Sequence, residues 1–417
     1  MASSVPVARV LVVGAGTAGV AAAEECSRRG IDVAVIDRLA KPDPPWGSWP
    51  DLLAPPGTRS AAAALPLPPA EPLDSIFETE VVAVRRGEAV TAGGPVLRAD
   101  SIVLAAGSRF EPAVVQGVRR PGSFVLDSPG RYAELGSAFG SADRVLISGE
   151  GARGLQVAER LSTSGAKASL IVSCWQPSEP SPPVLEVVSD AALERGIAVA
   201  PGKVDRVAGL TRAEAVLAGG EVFPCDAFAF VPRRVPRAVP LDAPPGRSGG
   251  ILVDGTLRTR VPGVFAAGGC AELEGCLHPG STLGAEPSMS GRVAGANSAG
   301  ASVRIGPVRS WSSRVFGLSW SKTGPGAPAC RALGMDVREV GRRWHAHSAC
   351  TLTYEKKTGR VVGTEVIEPA DSPSAALAPW TAGSATLRSL AYGSLGSSDI
   401  SLISDTARLG LISWSGC

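Results

Sequence analysis

What the chain lacks narrows the field before any motif is read. It has almost no excess of one charge: 41 Lys and Arg stand against 39 Asp and Glu, a net of +2 over 417 residues. So weak a balance gives no argument for a nucleic-acid partner or a charged membrane surface. No apolar run approaches the ~18 residues that a membrane-spanning helix needs. The eight cysteines are sparse and irregular. They form no CxxC, no Cys/His pairing of zinc-site spacing and no disulfide framework, so no metal is expected. After Met1 a few small residues lead straight into a strand-like run, leaving no room for a signal peptide. A cytoplasmic location is therefore the expectation.

Glycine and proline, by contrast, are plentiful. There are 50 Gly and 35 Pro, above ordinary usage and below the level of disordered chains. With 44% hydrophobic residues and 19% charged, the chain should fold with many tight turns. At roughly 150 residues per domain, its length suggests about three domains.

Residues 8–37 carry the first chemistry. The apolar run Val10–Val13 reads as a strand buried on both faces. It leads into Gly14-Ala15-Gly16-Thr17-Ala18-Gly19 and an Ala-rich helix ended by Gly30; a second strand, Val33–Ile36, ends at Asp37. Each element has a mechanical reason. Gly14 allows a tight turn, Gly16 lets the backbone approach a pyrophosphate, and Gly19 lets helix and strand pack closely. The helix N-terminus, with Thr17 and Ala18, presents free N–H groups to phosphate. Asp37 lies where a carboxylate accepts ribose hydroxyls.

The pattern recurs 135 residues later. Arg144–Ser148 runs into Gly149-Glu150-Gly151-Ala152-Arg153-Gly154, a helix over 155–164, the closing Gly165 and a strand over 168–173. In both copies the closing glycine falls 16 residues after the first. Such duplication predicts two Rossmann-type units in one α/β chain. The copies differ where specificity is set, because Val172 stands at the position of Asp37 and no Arg follows at once. The second unit could hold a nicotinamide dinucleotide, hold another nucleotide, or be kept for packing.

On these motifs the chain resembles the FAD-dependent pyridine nucleotide–disulfide oxidoreductases, and among them NADH oxidase and coenzyme A-disulfide reductase. Further segments match in order. Asp100–Arg109, with Ala106-Gly107, resembles the strand that closes the first half of the FAD domain. Asp254–Gly268 resembles the segment that returns to it, and Ser288–Gly300 the helix whose N-terminus faces the flavin. Tyr354–Val366, turning at Lys357-Thr358-Gly359, resembles the dimerisation domain, as does Tyr392-Gly393-Ser394 with Asp399.

The resemblance implies an FAD domain in two pieces, 1–111 and 250–303, with an NAD(P)H domain over 112–249 and a C-terminal α+β dimerisation domain over 304–417. It implies FAD and NAD(P)H as cofactors and a homodimer, with Gly268 and Gly269 joining the FAD site.

Three departures bear on the reaction. The stretch where these relatives carry their redox cysteine reads Pro44-Pro45-Trp46-Gly47-Ser48-Trp49-Pro50, and no cysteine occurs between Cys26 and Cys174. A thiol relay needs a thiolate at the flavin. Gly269 replaces an Asp that usually contacts FAD, and Gln156 replaces a frequent Glu near the nicotinamide; an amide cannot act as a base.

Remaining candidates are weaker. Cys270 with Cys276, or Cys417, could form a substitute redox group, though small buried thiols and a frayed tail are the plainer readings. His278 could donate a proton or be a loop histidine. His345 and His347 alternate as in a strand, without metal-binding companions. Trp46 and Trp49 could shield the flavin or fill a loop. Arg233, Arg234 and Arg237 could contact an anion or be solvated.

The leading expectation is an oxidoreductase passing electrons from NAD(P)H through FAD to oxygen, a quinone or an electron-transfer protein. Alternatives are the flavin subunit of an amine or proline dehydrogenase, and a degenerate flavin-binding scaffold or redox-sensing subunit.

Overall fold

The computed structural model describes residues 4–41, 46–53, 74–138, 144–175, 179–237, 239–276, 282–283, 286–306, 310–371, 386, 390, 403 and 405–409. The chain divides into two compact units. The first comprises Met1–Trp49, Ser60–Glu111 and Arg234–Arg309; the second comprises Pro50–Arg59, Pro112–Arg233 and Ser310–Cys417.

In the first unit one sheet follows the order Asp74–Ile76, Val33–Ile36, Ser4–Val13, Val96–Leu104, Glu88–Thr91, Val81–Arg85, and Val264–Ala266 joins it beside Val96–Leu104. The four central strands are parallel. Their registers align Val13 with Ile36 and Leu104, and Leu104 with Ala266. The strands therefore end on one line, and the loops that follow them (Gly14 onward, Asp37 onward, Ala105 onward, Ala267 onward) leave from the same carboxyl edge. That edge is where open parallel sheets place ligands. Val10–Val13, Val33–Ile36 and Ile102–Leu104 are all buried, as strands covered on both faces must be.

The helix Thr17–Arg28 packs along Pro287–Ser298 at very short range. A Cβ on Gly291 would lie 2.9 Å from the Ala18 carbonyl carbon, and one on Gly295 2.9 Å from Ala22 Cα. Small residues on both helices let the backbones touch.

The second unit has its own parallel sheet in the order Ala198–Pro201, Lys167–Cys174, Arg144–Glu150, Ala227–Val231, Ser123–Val125. Its helix Gly151–Thr163 starts at the second glycine of the repeat, four residues before the expected start. A C-terminal antiparallel sheet follows the order Ser310–Val315, Leu318–Thr323, Val361–Pro369, Ser348–Glu355, Val337–His345. The strand pair expected around Lys357-Thr358-Gly359 is its centre.

Two local expectations need correction. The return to the first unit begins at Arg234, ahead of residue 250, because Arg234–Pro236 pairs antiparallel with Ser108–Phe110. His345 and His347 do not alternate along one strand. The chain turns between them, and His347 Nε2 lies 3.1 Å from Glu194 Oε2 at the surface. Among the described residues no helix is long and apolar enough to cross a membrane, and no His/Cys/Asp/Glu group could hold a metal ion.

Candidate dinucleotide sites

The first cradle is built at the carboxyl edge of the first sheet. Gly14 sits at φ +109°, where a side chain is strained, and donates its N–H to Ile36 O at 2.7 Å. A Cβ there would also lie 2.8 Å from the Ala105 carbonyl carbon. A Cβ on Gly19 would meet the Gly14 backbone, its carbonyl carbon at 2.9 Å. Gly16 is the opposite case: a Cβ would meet nothing within 4 Å. The open space lies at a helix start with no side-chain cap and no acid in its first turn. The first-turn N–H groups, Thr17 and Ala18 among them, have no partner within their own helix. Open room beside unpartnered donors is what a pyrophosphate requires, so this cradle fits the phosphates of FAD.

Asp37 does more than the sequence suggests. Its Oδ2 accepts the Ala15 N–H at 2.6 Å and its Oδ1 the Leu39 N–H at 2.8 Å. The carboxylate holds the glycine loop in shape, and each oxygen keeps lone-pair capacity for a ribose hydroxyl.

Ala106, Gly107, Gly268 and Gly269 come to the same edge. A Cβ on Gly268 would lie 2.8 Å from Ala18 Cβ, and Gly268 N–H is held by Ser290 Oγ at 3.1 Å. Gly107 O accepts the Arg237 N–H at 3.1 Å. A Cβ on Gly269 would collide with Ser108 Oγ, which itself accepts from Arg234 Nη2 at 3.0 Å. The glycine at 269 is thus tied to its surroundings: Ser108 Oγ occupies the room a side chain would need. Burial, and then the neighbouring charges of Arg38 and Arg109, lower the Arg237 guanidinium from its ordinary value, while Glu80 and Asp37 oppose that effect.

Cys270 is corrected as a redox candidate. It is fully buried, and its thiol donates toward Leu104 O at 3.4 Å and Ala267 O at 3.3 Å. Burial pushes the thiol up, away from the thiolate that relay chemistry needs. No disulfide joins it to Cys276. Trp49 is buried with its ring 5.9 Å from that of Phe110, while Asp51 is ion-paired to Arg160. His278, Cys417, Tyr392-Gly393-Ser394 and Asp399 lie outside the described residues, as does the side chain of Trp46.

The second cradle has the same backbone with a different occupant. Gly149 sits at φ +134°, its Cβ position 2.7 Å from the Val231 carbonyl carbon, and Gly154 packs against Leu170. At Gly151, however, a Cβ would lie 2.5 Å from Trp175 Cζ3 and 2.7 Å from its Cδ2. An indole rests on the glycine whose bareness should admit a pyrophosphate. The backbone fits a dinucleotide, and one side chain stands in its way.

Two further expectations fail here as direct ligands. Arg153 is 6% exposed and turns inward, where burial lowers its guanidinium and Tyr132, Glu150 and Asp51 oppose that effect. Gln156 Nε2 donates to Ser313 Oγ at 3.1 Å and Arg314 O at 3.3 Å, so the amide fastens the C-terminal sheet. Ala152 is buried at the helix start. Sequence reasoning missed Trp175, although an aromatic closely following the position of the absent acid was visible.

The profile of the pyridine nucleotide-disulphide oxidoreductase family matches residues 8–299. No curated protein sequence matches the chain. Among solved structures, the water-forming NADH oxidase of Lactobacillus brevis aligns at TM-score 0.81 and 16% identity, covering 98% of this chain and 99% of that one. An NAD-dependent persulfide reductase from A. fulgidus aligns at 0.78 and 20%, covering 98% and 84%. Putidaredoxin reductase, in covalent complex with putidaredoxin, aligns at 0.73 and 19%, covering 90% and 93%. At these identities the three structures speak for the fold.

Proposed function

Because this chain belongs to the pyridine nucleotide-disulphide oxidoreductase family, enzymes that use FAD with NAD(P)H, we propose that it passes electrons from NAD(P)H through FAD to an acceptor without a cysteine relay. The observation that carries the last clause is the inward-facing, fully buried thiol of Cys270 beside the first cradle. The acceptor classes are oxygen, a quinone or an electron-transfer protein. Neighbours of similar fold include an enzyme that forms water and one caught with its redox partner.

FAD, when bound, supplies the hydride-accepting and electron-donating chemistry. The chain's residues do the rest. The N–H groups from Gly16 to Gly19 receive the phosphates, and Asp37 keeps the loop in that shape while offering oxygens to ribose. Ser290 Oγ ties the Gly268 N–H to Glu286 O and Pro287 O, so the start of Pro287–Ser298 is fixed to the return segment. The positive end of that helix favours negative charge placed beside it. No side-chain acid or base is required for hydride transfer itself. We assign 304–417 to pairing two chains about a twofold axis.

The indole on Gly151 favours a second reading, in which the second cradle is unused. FAD would then be reduced by an amine or imino-acid donor, or would serve only in a scaffold. Anaerobic stopped-flow mixing with NADH and NADPH separates the readings. Prompt loss of the oxidised-flavin absorbance supports the proposal; reduction by an amine alone, or a protein that cannot be loaded with FAD, overturns it.

A further inference from the structure

Trp175 lies against Gly151 of the second cradle and is backed by a second indole. Its ring stands edge-on to Trp320 at 6.0 Å, and Trp320 stands edge-on to Trp311 at 4.7 Å. Trp320 Nε1 donates to Glu365 Oε1 at 2.9 Å. The other oxygen of that carboxylate accepts the Ser181 N–H at 2.9 Å and Lys322 Nζ at 3.2 Å. Lys322 Nζ also donates to Glu179 O at 2.8 Å. The Lys322 and Glu365 side chains are 5% and 3% exposed. A buried, hydrogen-bonded ion pair of this kind fixes geometry more surely than it adds stability. Here it fixes Trp320, Glu179 and Ser181 together, and Trp320 in turn backs Trp175.

The residues that normally discriminate a bound nucleotide are missing from this strand end. Val172 is buried, Ser173 is exposed, and neither is charged. Among the described residues Trp175 is the one large side chain there, and it is only half-buried, so it can leave without unpacking the core.

From these contacts we infer that Trp175 determines access to the second cradle. In the nucleotide-free chain its indole occupies the place of the pyrophosphate over Gly151, and a dinucleotide binds only by displacing it. The C-terminal sheet, through Trp320 and the Lys322–Glu365 pair, sets how strongly the indole is retained. The inference rests on the nicotinamide reading above. It adds a side chain that the ligand must move and a sheet that biases the move.

The test uses the full-length, FAD-loaded chain. Calorimetric titration with ADP-ribose, NADH and NADPH compares the native protein with Trp175→Ala and with the milder Trp175→Phe. A cradle open in one molecule of ten that becomes open in all gains about tenfold in affinity. We expect that tightening for Trp175→Ala and an intermediate gain for Trp175→Phe. In protein labelled with 5-fluorotryptophan, the resonance missing from Trp175→Phe should shift when ADP-ribose is added. Equal or weaker binding by Trp175→Ala, or an unmoved resonance at saturation, overturns the inference and leaves the nicotinamide reading standing. If no form binds any of the three nucleotides while all retain flavin, the nicotinamide reading fails and takes the inference with it.

Discussion

Placing at position 269 the acid that the family resemblance implies should harm this protein rather than repair it. Gly269→Asp places a Cβ against Ser108 Oγ, which must rotate and release Arg234 Nη2. A hydrogen bond to a charged group contributes about 1.5–3 kcal/mol, and part exposure of the guanidinium favours the lower end. Forcing a side chain into a filled site adds about 1–3 kcal/mol. The sum is about 3 kcal/mol, on the order of a hundredfold in the folding equilibrium. A carboxylate accepting from FAD would return about 1.5–3 kcal/mol, and only in the loaded protein. The variant should therefore unfold at clearly lower urea than the native chain when both are stripped of flavin, with a smaller difference when both are loaded. Ser108→Ala/Gly269→Asp should recover the overpacking share of the loss but not the share of the Arg234 bond, because Ser108 Cβ lies 3.5 Å from the new Cβ, an ordinary contact. Flavin fluorescence titration then reads whether the acid tightens FAD. If flavin-free Gly269→Asp unfolds at the native urea concentration, the claim that Ser108 fills the site is wrong.

The remaining predictions concern both units. Lys322→Met leaves Glu365 buried without its cation and should lower stability by about 3–5 kcal/mol, read by urea denaturation; adding Glu365→Gln should restore a good part. Asp226 is held below the ordinary carboxylate value, chiefly by its side-chain hydrogen bond with Arg144. A depressed folded value stabilises above the unfolded value and loses that contribution as pH falls through the folded one. The urea midpoints of the native chain and Asp226→Asn should thus differ at neutral pH and converge as acid is added; a gap that widens in acid refutes the assignment. Cys270→Ala should leave the anaerobic rate of flavin reduction unchanged and cost roughly 1 kcal/mol of stability. In the native chain Cys350, whose thiol burial pushes up to about 12, should resist maleimide at mildly alkaline pH.

What the sequence made legible was local. Gly14, Gly16 and Gly19 with their strand and helix are contiguous, so spacing alone assigns their mechanics, and the same holds for Gly149 and Gly154. The return segment was legible because a strand, a turn and two glycines follow one another. What stayed hidden depends on residues far apart in sequence. Trp175 on Gly151 needs two strand ends to meet; Ser108 beside Gly269 needs a separation of over a hundred residues to close. Lys322 and Glu365 stand 43 residues apart, and only the sheet and the residues before Pro182–Leu193 bring them together and bury them. Gln156 and Arg153 misled because a helix position near a ligand says nothing of where a long side chain turns.

The close packing of Thr17–Arg28 on Pro287–Ser298 has a consequence for biosynthesis. Cys26 Sγ reaches Gly295 O across 269 residues of chain. A ribosome that has delivered half the polypeptide has made the phosphate loop but not the wall against which its helix leans. Such distant closure is slow and comes late. Loading with flavin therefore belongs after translation has passed Ser298, and nascent or prematurely terminated chains should emerge colourless.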